Sequence, residues 1–283
     1  MPGIRMNQSP RAEASGWLDL AGVVCVVTGG GSGIGAATSR ELAAHGASVA
    51  VLDRDAGAAV EVADGIERGG GRAIYLAADV TRDDAVASAA DHVRLQLGAC
   101  QVLVNSAGLV GYAGPLMDAD MTQWSRMLAV NVTGALNCTQ AFGRQMIDAG
   151  SGGSIINIAS ICGHHPLAEG GVYSVGKAGL LMMTRMLALE LAVHRIRCNS
   201  VSPALVRTPA TESAYRDAGV GEARRRMVPA GRVADPADVA SVVAFLASDR
   251  SGYVDGQDIL VDGAFSQTLM SLVPKPSVPI RPA

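Results

Sequence analysis

Aromatic residues are scarce in this chain, 4% of 283 residues, and the net charge is −3. No basic patch with interleaved aromatics occurs; the longest cationic run is Arg224, Arg225 and Arg226. A nucleic-acid ligand calls for cations that neutralise phosphates and rings that stack on bases, so the composition argues against that partner. Cysteine is sparse as well. Cys25, Cys100, Cys138, Cys162 and Cys198 are scattered, odd in number and never in C-x-x-C spacing. This argues against a disulfide framework and against a zinc site. Four of the five sit in or beside apolar stretches and read as reduced core residues, as expected of a cytoplasmic protein. No run of about 18 apolar residues is present, so no membrane-spanning helix is expected. Residues 1–20 also lack the apolar core of a secretory signal.

Hydrophobic residues nevertheless make up 49% of the chain. That is ample for one large core, and α/β chains of this length are often a single domain. Short β-branched runs alternate with longer helical ones. Val23–Thr28, Ala47–Leu52, Ala73–Ala77, Val102–Asn105, Ser154–Ala159, Ile196–Val201 and Ile259–Val261 read as strands. Helices are expected at Gly33–His45, Ala56–Glu67, Asp83–Leu97, Thr122–Ala149, Val172–His194 and Pro236–Ala247, with glycines closing the first two. Residues 203–229 read as irregular, apart from a short helix near Glu222–Met227. Repeated β-α-β units with right-handed crossovers imply a doubly wound parallel sheet with helices on both faces. Polar residues 1–17 and the proline-rich stretch 274–283 fall outside this pattern. The helix from Val172 is apolar nearly all round, so either it is deeply buried or a second subunit covers one face.

Three loops carry chemistry. T-G-G-G-S-G-I-G, residues 28–35, joins the first strand to its helix. Gly29, Gly33 and Gly35 allow a tight turn and close approach of backbone to a diphosphate, and the helix start turns N–H groups toward it. No G-K-[ST] follows, so this is not a Walker A loop. Asp53 ends the second strand, where an acid accepts bonds from an adenosine ribose 2′-OH. A 2′-phosphate there would meet repulsion of up to about 4 kcal/mol. NAD is thus expected over NADP, although Arg54 could offset the repulsion; Ser32 is neutral where a cation would help. Asp79-Val80 and Asn105–Gly108 follow the third and fourth strands, at the end of a parallel sheet where ligands bind. By themselves they read equally as a helix cap and a turn.

The fourth signal is Tyr173 with Lys177. Four apart, they share one helix face. Acid–base work at neutral pH needs the phenol roughly 3 units below its usual value, about 4 kcal/mol. One ammonium about 4 Å away, at an effective dielectric of about 20, supplies that much. By itself the spacing is an ordinary surface pair; its weight comes from the loops upstream.

Taken together, these residues resemble the short-chain dehydrogenase/reductases over about residues 20–263. The resemblance rests on T-G-x-x-x-G-x-G at 28–35, D-V at 79–80, N-x-A-G at 105–108, Asn131, Ser160, Y-x-x-x-K at 173–177, N-S-V-S-P at 199–203 with Thr208, and V-D-G at 261–263. It implies a Rossmann-type sheet of seven strands in order 3-2-1-4-5-6-7, a nicotinamide cofactor, and commonly a homotetramer built on the long helices. It also implies Tyr173 as acid/base, Lys177 lowering its pKa and holding the nicotinamide ribose, Ser160 bonding the substrate oxygen, and Asn131 holding a water that links Lys177 to solvent. The cofactor would be lined by Gly29, Ser32, Gly33, Ile34, Gly35, Asp53, Arg54, Asp79, Val80, Asn105, Ala107, Gly108, Pro203, Val206 and Thr208, beside Tyr173 and Lys177. A substrate lid is expected at 204–229. Tyr112, His165, Leu205 and Met227 are pocket candidates. Ala204 and Ala264 stand where the family commonly has glycine.

The expected activity is hydride transfer between NAD(H) and a secondary alcohol/ketone pair. A 3-oxoacyl thioester reductase using NADP(H) is the alternative within the family. A non-catalytic nucleotide sensor is the alternative outside it; the complete set Asn131, Ser160, Tyr173 and Lys177 speaks against a sensor. His164-His165 could suggest a metal, but neighbours on an extended segment point apart, and no metal is expected. They read otherwise as pocket wall or plain loop. Arg224–Arg226 could clamp an anionic substrate group or lie on a solvated helix face.

Overall fold

In the computed structural model, which describes residues 16–111 and 114–269, the first apolar run is strand β1 (Val24–Thr28), buried at every position. Its side chains alternate between two cores: Cys25 and Val27 face one, Val24 and Val26 the other. A strand covered on both faces needs apolar residues throughout, which is why the run does not alternate with polar ones. Helix α1 (Gly33–Ala44), β2 (Ser48–Asp53), α2 (Ala56–Arg68), β3 (Arg72–Ala77), α3 (Asp83–Gln96) and β4 (Val102–Asn105) follow. The second half contributes β5 (Gly153–Ile158), β6 (Ile196–Pro203) and β7 (Asp258–Val261). The seven strands pair in parallel in the order β3-β2-β1-β4-β5-β6-β7, as the resemblance implies.

The helix expected over 122–149 is broken. It consists of α4 (Met121–Leu128), a π-helical stretch at Ala129–Thr133, and α5 (Gly134–Ala149). A π turn inserts one extra residue into the helix and is frequent at functional positions. This one carries Asn131, which is 1% exposed.

Helix α6 (Val172–Leu191) is buried on one side only. Val172, Gly176, Lys177, Leu180, Leu181, Thr184, Leu187 and Ala188 are buried, whereas Val175, Met182, Met186 and Leu189 remain exposed. The helix is therefore not buried all round, and an apolar stripe lies uncovered. In the segment after β6, α7 (Ala218–Met227) begins four residues earlier than its apolar pattern suggests, because Asp217 accepts the N–H groups of Gly219 and Val220 at 2.7 and 3.2 Å. Helix α8 (Pro236–Ala247) has the expected bounds and starts with a capping box of Asp235 and Asp238. Among the described residues no helix is long and apolar enough to cross a membrane. The readings for residues 1–15, Tyr112 and 274–283 lie outside the described residues.

Candidate active site

The glycine loop is shaped by contacts that a side chain would destroy. A Cβ on Gly35 would lie 2.1 Å from the Gly29 carbonyl oxygen, and one on Gly29 2.8 Å from Ala107 Cα. Gly29 and Gly33 have φ of +62° and +51°, which L side chains adopt at a cost. Thr28 Oγ1 accepts the N–H groups of Ser106 and Ala107, each at 3.1 Å, and so locks the loop after β4 onto the loop after β1. A Cβ on Gly33 would be 3.3 Å from Thr208 Cβ, which brings the segment after β6 against the same loop. The side chain of Ser32 makes no cap bond to α1, and the first turn holds no acid. The N–H groups at that helix start are left to an anion, so this cradle fits a dinucleotide diphosphate.

Asp53 turns toward the loop. Its Oδ2 accepts the N–H of Gly31 and its Oδ1 that of Asp55, both at 3.0 Å. Asp79 Oδ1 accepts the N–H and the hydroxyl of Thr81 at 2.9 and 2.8 Å. These bonds hold the Asp79 carboxyl below its ordinary range, with a smaller contribution from the nearby Arg54 charge. Val80 is buried beneath Gly134, where a Cβ would meet Val80 Cγ2 at 2.6 Å.

Three expected cofactor residues spend their side chains elsewhere. The Asn105 amide nitrogen donates to Thr139 Oγ1 at 3.2 Å and Asn157 Oδ1 at 2.9 Å, stitching β4 to β5 and α5. Its Oδ1 is buried without a hydrogen-bond partner. Val206 belongs to the hydrophobic core, and Pro203 is the buried end of β6. Only the backbone of these residues remains to face a nucleotide.

Around Tyr173 the expected residues converge. Ser160 follows β5, is 6% exposed and lies beside the Tyr173 hydroxyl, while its Oγ accepts the Cys162 N–H at 3.1 Å. Tyr173 stands in the first turn of α6, after Gly171 with φ +51° and ψ −133°. A Cβ on Gly108 would lie 3.5 Å from Asn131 Oδ1 and 3.8 Å from Lys177 Nζ, so these groups meet. The Asn131 amide brackets the backbone of Leu109, accepting its N–H at 2.7 Å and donating to its carbonyl at 2.9 Å. The side chain expected to hold a water thus fixes the loop beside Lys177.

The electrostatics depart from the simple pair. Lys177 Nζ donates to the Ile158 carbonyl at 2.7 Å and lies 5.8 Å from the Tyr173 ring centroid. Burial pushes Lys177 down to about 8 and Tyr173 up to about 12; the Ser160 hydrogen bond only partly offsets the latter. Desolvation therefore sets the direction of both shifts.

The pocket candidates fare unevenly. Leu205 lines a cavity of about 120 Å³ with Val228, Val261 and Gly263. His165 and Met227 are exposed. His164 is drawn away to Asp258, its Nε2 2.6 Å from Oδ2, which leaves no shared ligation with His165. The arginines have partners on the protein surface, with Arg225 and Arg226 both on Glu222 and Arg224 stacked 4.9 Å from the Tyr215 ring centroid. Ala264 has φ +69°, a conformation that glycine adopts without strain. Sequence reasoning missed Thr28, Asn157 and Asp258, whose roles depend on strand register and have no local signature.

A doubly wound sheet with a diphosphate cradle at one strand end and a buried Ser–Tyr–Lys set beside it defines a dinucleotide-dependent oxidoreductase. A family model described as enoyl-(acyl carrier protein) reductase matches residues 29–266. The chain is 40% identical over 243 residues to the cis-4-hydroxycyclohexanecarboxylate dehydrogenase of Sinomonas cyclohexanicum, covering 86% of this chain and 96% of that protein. Among solved structures, a short-chain type dehydrogenase/reductase from Mycobacterium marinum superposes with a TM-score of 0.83 at 35% identity, covering 88% of this chain and 97% of that one. A gluconate 5-dehydrogenase from Burkholderia cenocepacia J2315 in complex with NADP and tartrate gives a TM-score of 0.83 at 31% identity, with 88% and 98% covered. The chain belongs to the short-chain dehydrogenase/reductase family. It is an oxidoreductase of alcohol/ketone substrates that works with NAD(P).

Proposed function

We propose that the protein oxidises a secondary alcohol with NAD, using Tyr173 as the acid/base. The observation that carries this reading is the meeting of half-buried Tyr173 with buried Ser160 and buried Lys177. A bound nicotinamide would supply the hydride acceptor. Ser160 donates a hydrogen bond to the substrate oxygen and fixes it against Tyr173. The Tyr173 phenolate accepts the hydroxyl proton, and Lys177 in its charged form balances the phenolate, so that the pair as a whole stays neutral in a site that penalises either charge alone. Asn131 holds the Leu109 loop beside Lys177. Gly29, Ser32, Gly33, Ile34 and Gly35 would hold the diphosphate, and Thr208, in the 204–229 segment, would stand beside it at Gly33.

Asp53 supports NAD over NADP. Its carboxylate is fixed by two backbone N–H groups at the ribose position, where a second anion would be repelled. The similarity to a hydroxycyclohexanecarboxylate dehydrogenase makes cyclic secondary alcohols the first substrates to try. The exposed stripe Val175, Met182, Met186 and Leu189 supports a homotetramer that covers it. Buried free thiols at Cys25, Cys100, Cys138 and Cys198 suit a reducing cytoplasm.

The test is NADH formation over a panel of cis-4-hydroxycyclohexanecarboxylate, cyclohexanol, polyols and 3-hydroxyacyl thioesters, repeated with NADP. Turnover of a cyclic alcohol with higher kcat/KM for NAD is expected. Higher kcat/KM with NADP would overturn the cofactor choice, and no turnover of any alcohol would overturn the activity.

A further inference from the structure

We propose that His164 and Asp258 form a tether that positions Ser160, acting through the turn that carries it. The proposal rests on the reading of Ser160 and Tyr173 as the site of proton transfer. His164 Nε2 lies 2.6 Å from Asp258 Oδ2, across 94 residues of sequence. The Asp258 side chain is 8% exposed and that of His164 28%. The other carboxylate oxygen, Oδ1, accepts the hydroxyls of Ser200 at 2.6 Å and Ser202 at 2.9 Å. A carboxylate so nearly removed from water requires its donors, and losing one leaves a buried acceptor unmatched.

The position of His164 gives this contact its consequence. His164 ends the short turn Ile161–Gly163, which Ser160 caps through the Cys162 N–H. The backbone bonds of this turn are local, from Gly163 to Ser160 and from His164 and His165 to Ile161. On one side it presses on α6, where a Cβ on Gly163 would stand 3.0 Å from the Lys177 carbonyl carbon and 2.8 Å from Leu181 Cδ1. His164 anchors it on the other side. Asp258 opens β7, and Ser200 and Ser202 sit near the end of β6, just before the chain enters the 204–229 segment. One carboxylate thus joins the Ser160 turn, the strand that leads into the lid, and the edge strand. His164 touches no reacting atom and is a positioning residue. A displacement of about 1 Å at a group that holds a reacting oxygen can cost about 100-fold in rate.

The test compares His164→Ala, His164→Gln, Asp258→Asn and the double variant His164→Ala/Asp258→Asn. The assays are kcat and KM with NAD and cis-4-hydroxycyclohexanecarboxylate, NADH affinity by fluorescence, and the rate at which iodoacetamide labels Cys162. Cys162 lies in the turn and is the one cysteine among the described residues that is not buried, so labelling needs no turnover to report on it. His164→Ala is expected to lower kcat about tenfold or more, leave NADH affinity within twofold, and speed Cys162 labelling severalfold. His164→Gln, which can still donate to Asp258, is expected to recover most of kcat. The double variant is expected to be no worse than His164→Ala, since both changes break one contact. Wild-type kcat together with wild-type labelling in His164→Ala would overturn the tether, as would additive losses in the double variant. Should Asp258→Asn fail to fold, the His164→Ala and His164→Gln pair still decides. An active Tyr173→Phe would instead overturn the underlying site reading. A dead Tyr173→Phe beside an unaffected His164→Ala overturns only the tether.

Discussion

The half of the sheet from β1 to β4 and the half from β5 to β7 build their shares of the site by different means. The first half works with backbone: absent side chains at Gly29 and Gly35, an uncapped helix start at Ser32, and N–H groups aimed at Asp53. The second half works with side chains: Ser160 on Tyr173, Lys177 on the Ile158 carbonyl, and Asp258 gathering Ser200, Ser202 and His164. A backbone cradle is defined by what cannot be there, and so tolerates almost no change. A side-chain cluster is defined by partners, and can be taken apart one contact at a time.

The largest effect expected on nucleotide binding breaks the cradle. Gly35→Ala puts a methyl 2.1 Å from the Gly29 oxygen. Overpacking of this kind costs about 1–3 kcal/mol, and NADH affinity should fall up to about 100-fold in a fluorescence titration. The second half should show its cost in pH instead. Lys177, fully buried, is pushed down to about 8, so in the folded protein the ammonium is penalised below that pH. From about pH 8 toward the unfolded value of about 10.5, the unfolded chain binds the extra proton and stability rises with pH. Tyr173, pushed up to about 12, has the opposite sign: its contribution is lost between about pH 10 and 12. Urea unfolding of wild type and Lys177→Met at about pH 7 and about pH 10 should therefore move in favour of the wild type by about 2 kcal/mol. Third, Asp53→Asn should shift the NAD/NADP ratio of kcat/KM about tenfold toward NADP, by removing one charge from the ribose position. The smallest effect is at Ala264, whose φ of +69° is strained for alanine. Ala264→Gly should raise stability by about 1 kcal/mol, read as a higher Tm.

The same contrast decides what was legible in the sequence. The doubly wound parallel sheet followed from β-α-β alternation and the cradle from glycines at fixed offsets, whereas the strand order came from the family resemblance. Tyr173 and Lys177 were named from residue type and spacing, Ser160 and Asn131 from the family resemblance, and the structure brings the four together. Their energetics were not legible. Burial, which depends on the whole fold, pushes Lys177 down and Tyr173 up. Asn105 was named for the cofactor, yet its amide is spent on Thr139 and Asn157. That pairing requires the register of β4 against β5. The break at Ala129–Thr133 was hidden because a π turn leaves the helical pattern on both sides nearly intact. The Asp258–His164 contact spans 94 residues, and neither partner has a local signal.

The central claim is that binding and proton transfer are separable, one built by the first half of the sheet and the other by the second. Tyr173→Phe tests this most directly, with NADH affinity and steady-state turnover measured on the same preparation. Unchanged NADH affinity with turnover reduced by at least about 1,000-fold is predicted. Near-normal turnover in that variant would contradict the account.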